Sequence, residues 1–160
     1  MSNAITKIIS FEQKQRKELI VARAVITLPE KFHFTTEIDV RITDLNYGNH
    51  LGNDSLLGLV HEGRVRFLQH LGYSEKNVEG CGIIMADSVI IYKLQAFYGD
   101  RLVIQVSAND FSKRACDLIY LISNKTTGKE IARAKTRIAF FDYQKNKTVP
   151  VPEKFKIIFT

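Results

Sequence analysis

The chain has 160 residues, 45% of them hydrophobic and 25% charged, which suits a single domain with a buried core and excludes a disordered segment. Its 23 basic and 17 acidic residues give a formal charge of +6, but the bases are scattered among the acids and no basic run is interleaved with stacking aromatics, so nucleic acid is not an expected partner. A mildly positive surface suits an anionic small molecule instead, such as one carrying phosphates.

Cys81 and Cys116 lack CxxC spacing and stand outside any His or Asp cluster. They read as unpaired thiols of a cytoplasmic protein, with no metal site. Met1 to Phe11 holds only a short apolar pair, Ile8-Ile9, before polar residues, so no signal peptide is expected. No apolar run approaches the eighteen or so residues that a membrane span requires.

The whole chain, 1–160, reads as one domain. Residues 1–33 form an N-terminal arm or peripheral element: 1–18 are polar, and Leu19 to Leu28 is apolar and β-branched, consistent with a strand that Pro29 closes. From Phe34 to Ile42 the apolar positions Phe34, Ile38, Val40 and Ile42 alternate with Thr35, Glu37, Asp39 and Arg41. This is the period of a strand with one buried face.

A helix is predicted from about Ser55 to Leu71, capped by Asn53 or Asp54. Leu56, Leu59, Val60, Gly63, Phe67 and Leu71 recur at three- and four-residue spacings, and Leu57 and Leu68 widen the stripe. Gly58 and Gly63 each cost about 1 kcal/mol relative to Ala, which close approach to another element would offset. Gly72 is the expected C-terminal stop.

Four strand-like stretches follow the polar segment Tyr73 to Gly80: Ile83 to Lys93, Arg101 to Asp110, Cys116 to Ser123 and Glu130 to Tyr143. The tail from Val149 to Phe155 reads as an extended turn and a short terminal element. One strand, a long helix and four strands predict an α+β fold, an antiparallel sheet wrapped against one buried helix. The open edges of such a sheet invite pairing with a second copy.

Between the first strand and the helix lies Asp44-Leu45-Asn46-Tyr47-Gly48-Asn49-His50-Leu51-Gly52-Asn53. Asn and Gly suit turns and caps, while Asp44 suits a loop organiser that accepts backbone N–H bonds. His50 is the group that turn chemistry leaves unexplained. Glu62, on the helix, stands four residues before Arg66, the spacing of an ordinary surface pair. His33, His61 and His70 read as surface or boundary residues.

These residues and their order resemble the hotdog-fold acyl-CoA thioesterases, the group that includes 4-hydroxybenzoyl-CoA thioesterase. The resemblance runs from Phe34 to Phe155 and is most specific in Arg41 to Asp44, Gly48 to Asn53 and His61 to Leu68, against a family text close to R-x-x-D-x-D-x-x-G-H-V-N-N followed by E-x-R-x-x-F-L. Tyr92 to Asp100 echoes Y-x-x-x-x-x-x-G-D, and Phe141 to Tyr143 with Pro150 to Glu153 echoes the closing strand and P-x-P-E. It implies hydrolysis of an acyl-CoA without a cofactor, in a homodimer or a tetramer of dimers whose sites form between chains.

The departures bear on mechanism. The aspartate four residues before the histidine is here Asn46, and an amide cannot take a proton from water as a carboxylate can. The resemblance implies catalytic roles for Asn46, His50 and Glu62, the last as general base. It implies substrate contacts from Asp44, Tyr47, Gly48, Asn49 and Asn53, with the acyl chain near Leu57, Ile84 and Met85. Two alternatives stand beside it: an acyl-CoA-binding protein without turnover, and a hotdog enoyl-CoA hydratase, whose D-x-N-P-x-H motif Asp44 and Asn46 partly match.

Overall fold

The computed structural model describes residues 24–159. Residues 24–33 carry no regular element, so the strand expected over Leu19 to Leu28 is absent from 24–28, and the expectations for 1–23 lie outside the described residues. Ile26 is nonetheless buried, and its carbonyl accepts a hydrogen bond from Arg133 Nη1 at 3.1 Å.

Strand β1, Phe34–Asp39, alternates half-buried and exposed residues as its sequence period requires. It stops short of Ile42 because Asp44 takes the Arg41 N–H at 2.8 Å and turns the chain into a 3-10 turn, Ile42–Asp44. Ile42 is thereby 67% exposed, not on the buried face.

Helix α1, Asn53–His70, buries Leu56, Leu59, Val60, Gly63, Arg64, Phe67 and Leu68. Its N-cap is Gly52, with no side-chain cap bond, rather than Asn53 or Asp54. Leu57 falls off the buried stripe, 43% exposed, and the stripe instead takes in Arg64. Burial of that guanidinium is offset by Glu75, whose Oε1 accepts from Arg64 Nε at 2.6 Å.

Of the two helix glycines, only Gly63 meets a neighbour. A Cβ there would stand 3.1 Å from Ile104 Cγ2, whereas one on Gly58 would meet nothing within 4 Å. At the far end Gly72 N–H bonds the Gln69 carbonyl and Tyr73 N–H that of Leu68, closing the helix in a Schellman motif.

The remaining strands are β2 (Gly82–Tyr92), β3 (Arg101–Asn109), β4 (Ala115–Asn124), β5 (Glu130–Asp142) and the two-residue β6 (Lys147–Thr148). The sheet order is β1-β3-β4-β5-β2, all antiparallel, with β6 beside β5. Leu102, Ile104 and Val106 of β3 and Leu118, Tyr120 and Ile122 of β4 share one core with Phe67 and Leu68 of α1. Each such fully buried apolar side chain contributes about 1.5–3 kcal/mol. A short helix α2, Glu153–Ile157, sinks Phe155 against Phe140, Phe111 and Phe159 and covers one part of this core.

The two sheet edges differ. Arg66 of α1 reaches β1 and donates to the Glu37 carbonyl and Thr36 Oγ1, both at 3.0 Å. The β2 edge is covered at its start, where Ile83 N–H bonds the Glu75 carbonyl at 2.8 Å and Tyr143 Oη donates to the Ile83 carbonyl at 3.2 Å, but Met85 to Ser88 are exposed further along it.

Candidate active site

Residues 44–52 form a tight hairpin between β1 and α1. Leu45 and Leu51 make an antiparallel bridge, Asn46 N–H bonds the His50 carbonyl at 2.9 Å, and Gly52 N–H bonds that of Asp44 at 2.9 Å. Asn49 sits at φ 58, the left-handed geometry that Asn tolerates. Leu51 N–H ties the hairpin to the Ala96 carbonyl at 2.8 Å, and Tyr92 Oη donates to the Asn53 carbonyl at 3.3 Å. The end of β2 and the segment after it are thus held against the start of α1.

A cavity of about 310 Å³ opens there. Its polar wall is Asn46, His50, Asn53, Lys93 and Gln95; its apolar wall includes Leu51, Leu56, Ala96 and Ile131. None of the described residues lining it is a carboxylate. Because Gly52 C=O takes the Leu56 N–H, the N–H groups of the first helical turn lack intrahelical acceptors, and they lie at the positive end of the helix dipole. The cavity can therefore receive a developing oxyanion beside Asn53.

Within the hairpin, Gly48 N–H donates to Asn46 Oδ1 at 2.8 Å, Asn46 Nδ2 lies 3.2 Å from His50 Nε2, and His50 Nδ1 lies 3.1 Å from the Gly48 carbonyl. Asp44 is buried and turned away, its two oxygens held by Arg41 Nε and Nη2 at 3.1 and 2.9 Å. The Arg41 guanidinium holds that carboxyl below the usual carboxylate range. Tyr47 is fully exposed at the hairpin tip.

The other candidate residues lie elsewhere. Glu62 opens onto a separate groove on the β1 side of α1, with Ser55, Gly58 and Asp44, and accepts from Arg66 Nε at 2.7 Å. It is nine residues beyond Asn53, roughly 14 Å along the helix axis. Ile84 and Met85 lie toward the opposite end of β2 from Tyr92; seven residues separate Met85 from Tyr92, roughly 23 Å. Leu57 faces outward and does not line the cavity. The structure thus unites Asn46, His50 and Asn53 and keeps Glu62, Leu57, Ile84 and Met85 apart from them within one chain.

Lys93, Gln95, Ala96 and Ile131 are cavity residues that the sequence did not single out. The one signal for them was the Tyr92 to Asp100 stretch, which contains three of the four. Ile131 arrives by register: the Lys93 and Leu94 N–H groups both bond its carbonyl, at 2.9 and 3.2 Å.

A long helix in an antiparallel sheet, with a cavity where the helix begins, defines a hotdog-fold protein with a candidate substrate site at the helix N-terminus. The model of the thioesterase-like superfamily matches residues 40–159, and this chain belongs to that superfamily. Among solved structures it is similar to a putative thioesterase of Pseudomonas aeruginosa, with a TM-score of 0.75 and 17% identity over 81% of this chain and 100% of that one. It is similar to the 1,4-dihydroxy-2-naphthoyl-CoA thioesterase of Synechocystis, at 0.71 and 22% over 79% and 94%. The DHNA-CoA thioesterase of Staphylococcus aureus gives 0.68 and 18% over 78% and 84%. No curated protein matches the sequence.

Proposed function

We propose that this protein hydrolyses the thioester of an acyl-CoA to the free acid and CoA, as a homodimer or a tetramer of dimers in the cytoplasm. The observation that carries the reading is the cavity at the start of α1, walled by Asn46, His50 and Asn53, in a chain of the thioesterase-like superfamily. Free thiols at Cys81 and Cys116 suit a reducing compartment, and no described helix is long and apolar enough to cross a membrane. Two of the similar structures are thioesterases of an aromatic acyl-CoA, 1,4-dihydroxy-2-naphthoyl-CoA or DHNA-CoA, which supports the same substrate class here.

In this reading the thioester carbonyl lies against the first turn of α1, whose free N–H groups stabilise the oxygen as it becomes negative. Asn46, backed by His50, orients the carbonyl, Gly48, Asn49 and Tyr47 contact the substrate, and Asp44 holds the hairpin in shape. Glu62 is the general base that activates water. Since Glu62 and His50 open onto different grooves of one chain, they meet at one thioester when different copies contribute them.

Pairing of two β2 edges, antiparallel and centred near Ser88, would set Met85 of a second copy opposite Ile91, beside the cavity. Ile84, Met85 and Leu57 then reach the acyl group across the interface. The test is thiol release from short, medium, long and aromatic acyl-CoAs by the wild type beside Glu62→Gln. A loss of about 100-fold or more in the folded variant supports the helix carboxylate as base, while full turnover removes it.

That no described residue lining the cavity is a carboxylate favours a second reading, an acyl-CoA-binding protein without turnover. Saturable binding with no thiol release from any member of the panel, and no hydration of a trans-enoyl thioester, would establish it.

A further inference from the structure

The hairpin closes a circuit of hydrogen bonds whose donors and acceptors admit one arrangement. Gly48 N–H can only donate, so the Asn46 atom 2.8 Å from it is the amide oxygen. That fixes which way round the amide stands and makes the atom 3.2 Å from His50 Nε2 the NH2 group. Nε2 must then accept. On the other side of the ring the Gly48 carbonyl can only accept, so Nδ1, 3.1 Å away, carries the proton. From this geometry we propose that Asn46 is a positioning residue that holds His50 as the neutral imidazole protonated on Nδ1.

An imidazolium would set N–H against N–H at Nε2, and turning the amide over to meet it would set NH2 against the Gly48 N–H. No orientation of an amide satisfies both donors; a carboxylate satisfies both at once. The choice of Asn over Asp at position 46 is therefore also a choice of protonation state at position 50. Gly48 belongs to the same device: a Cβ there would stand 2.6 Å from His50 Cε1 and 2.8 Å from Nδ1, so only glycine lets the imidazole lie against the turn. Among the described residues no ionisable side chain is hydrogen-bonded to the ring. Lys93 and Tyr92 line the same cavity, Asp44 is bound to Arg41, and Asp54 is directed toward Gly52.

The consequence for the site is a division of labour. With its Nε2 lone pair turned to Asn46, His50 is badly placed to act as the base. The second hydrogen of Asn46 Nδ2 has no partner among the described residues, so the hairpin presents a donor to a carbonyl oxygen, alongside the first turn of α1. In the thioesterase reading a carboxylate from elsewhere, Glu62, then activates water. This inference rests on the thioesterase reading for the identity of the ligand, but not for the tautomer.

Long-range proton–nitrogen correlation spectra of the 15N-labelled full chain read the tautomer directly, with His50 assigned by its loss in His50→Gln. The expected wild-type pattern at neutral pH is a protonated Nδ1 and a bare Nε2. In Asn46→Asp the Nε2 resonance shifts into the protonated range at the same pH; in Asn46→Ala the Nε2–H tautomer gains population. A wild-type ring protonated on Nε2 would overturn the proposal whatever the variants do, as would a His50 pattern unchanged in both variants while their amide spectra show the native fold. Thiol release is measured on the same samples. The expected tautomer with no release from any acyl-CoA supports the proposal and sinks the thioesterase reading instead.

Discussion

Asn46 and Asp44 are two residues apart, and their environments give them different work. Asn46 lines the cavity, and a carboxylate in its place would supply the acid group that none of the described lining residues carries. Asn46→Asp is expected to raise thiol release from acyl-CoA by about 10-fold or more, and equal or lower release in the folded variant would show that water is activated from another direction. Asp44 is buried and bound to Arg41 through both oxygens, so Asp44→Asn is expected to cost about 1–3 kcal/mol in denaturant unfolding. Its pH signature follows from the lowered carboxyl. The unfolded chain takes up a proton at higher pH than the folded one, so the stability Asp44 contributes is complete above its ordinary value of 3.8 and is lost as pH falls through the lowered folded value. The acid limb of wild-type stability should be steeper than that of Asp44→Asn. Asp44 as loop organiser and Glu62 with Arg66 were both legible in sequence, because each rests on local spacing. The Asn46–His50 circuit was not, since it depends on which face of a three-residue turn each ring atom meets.

At the scale of elements, periodicity located α1 and all five long strands to within a few residues, and it failed where a tertiary partner overrode it. Arg64 lies on the apolar stripe, yet a sequence reading sends an arginine to solvent; Glu75, in a segment with no regular element, is what holds it inside. Burial pushes the Glu75 carboxyl up, but hydrogen bonds from Arg64 and His61 outweigh it and keep it below the usual range. The helix glycines make a matched test. Gly58→Ala adds a methyl group to open space and should stabilise the chain by up to about 1 kcal/mol through helix propensity. Gly63→Val drives a branched side chain against Ile104, which is fully buried, and should destabilise by about 1–3 kcal/mol. Thermal unfolding midpoints moving apart in opposite directions would confirm the asymmetry, whereas a fall at Gly58 would show that a second copy packs there.

Across the whole molecule, β2 is long and is held at Ile83 by Glu75 and Tyr143, yet it is exposed from Met85 to Ser88, while Arg66 guards β1. That exposed stretch of edge is a pairing surface, and two copies joined there form an isologous pair in which each contact occurs twice. Purified protein at micromolar concentration should therefore have at least twice the mass of the chain in sedimentation, and a monomeric mass would remove the shared site. The division of His50 and Glu62 between grooves gives that arrangement a functional signature. Consider a dimer of one His50→Ala chain and one Glu62→Gln chain, co-expressed with different tags and purified by both. If each site takes His50 from one copy and Glu62 from the other, one of the two sites in the hybrid is intact and the other carries both defects, so thiol release should return to about half that of the wild type. If each site draws both residues from one chain, every site in the hybrid is defective. Activity would then remain at the level of the two parent variants, and Glu62 would have to reach the thioester from its own groove, roughly 14 Å along α1 from Asn53.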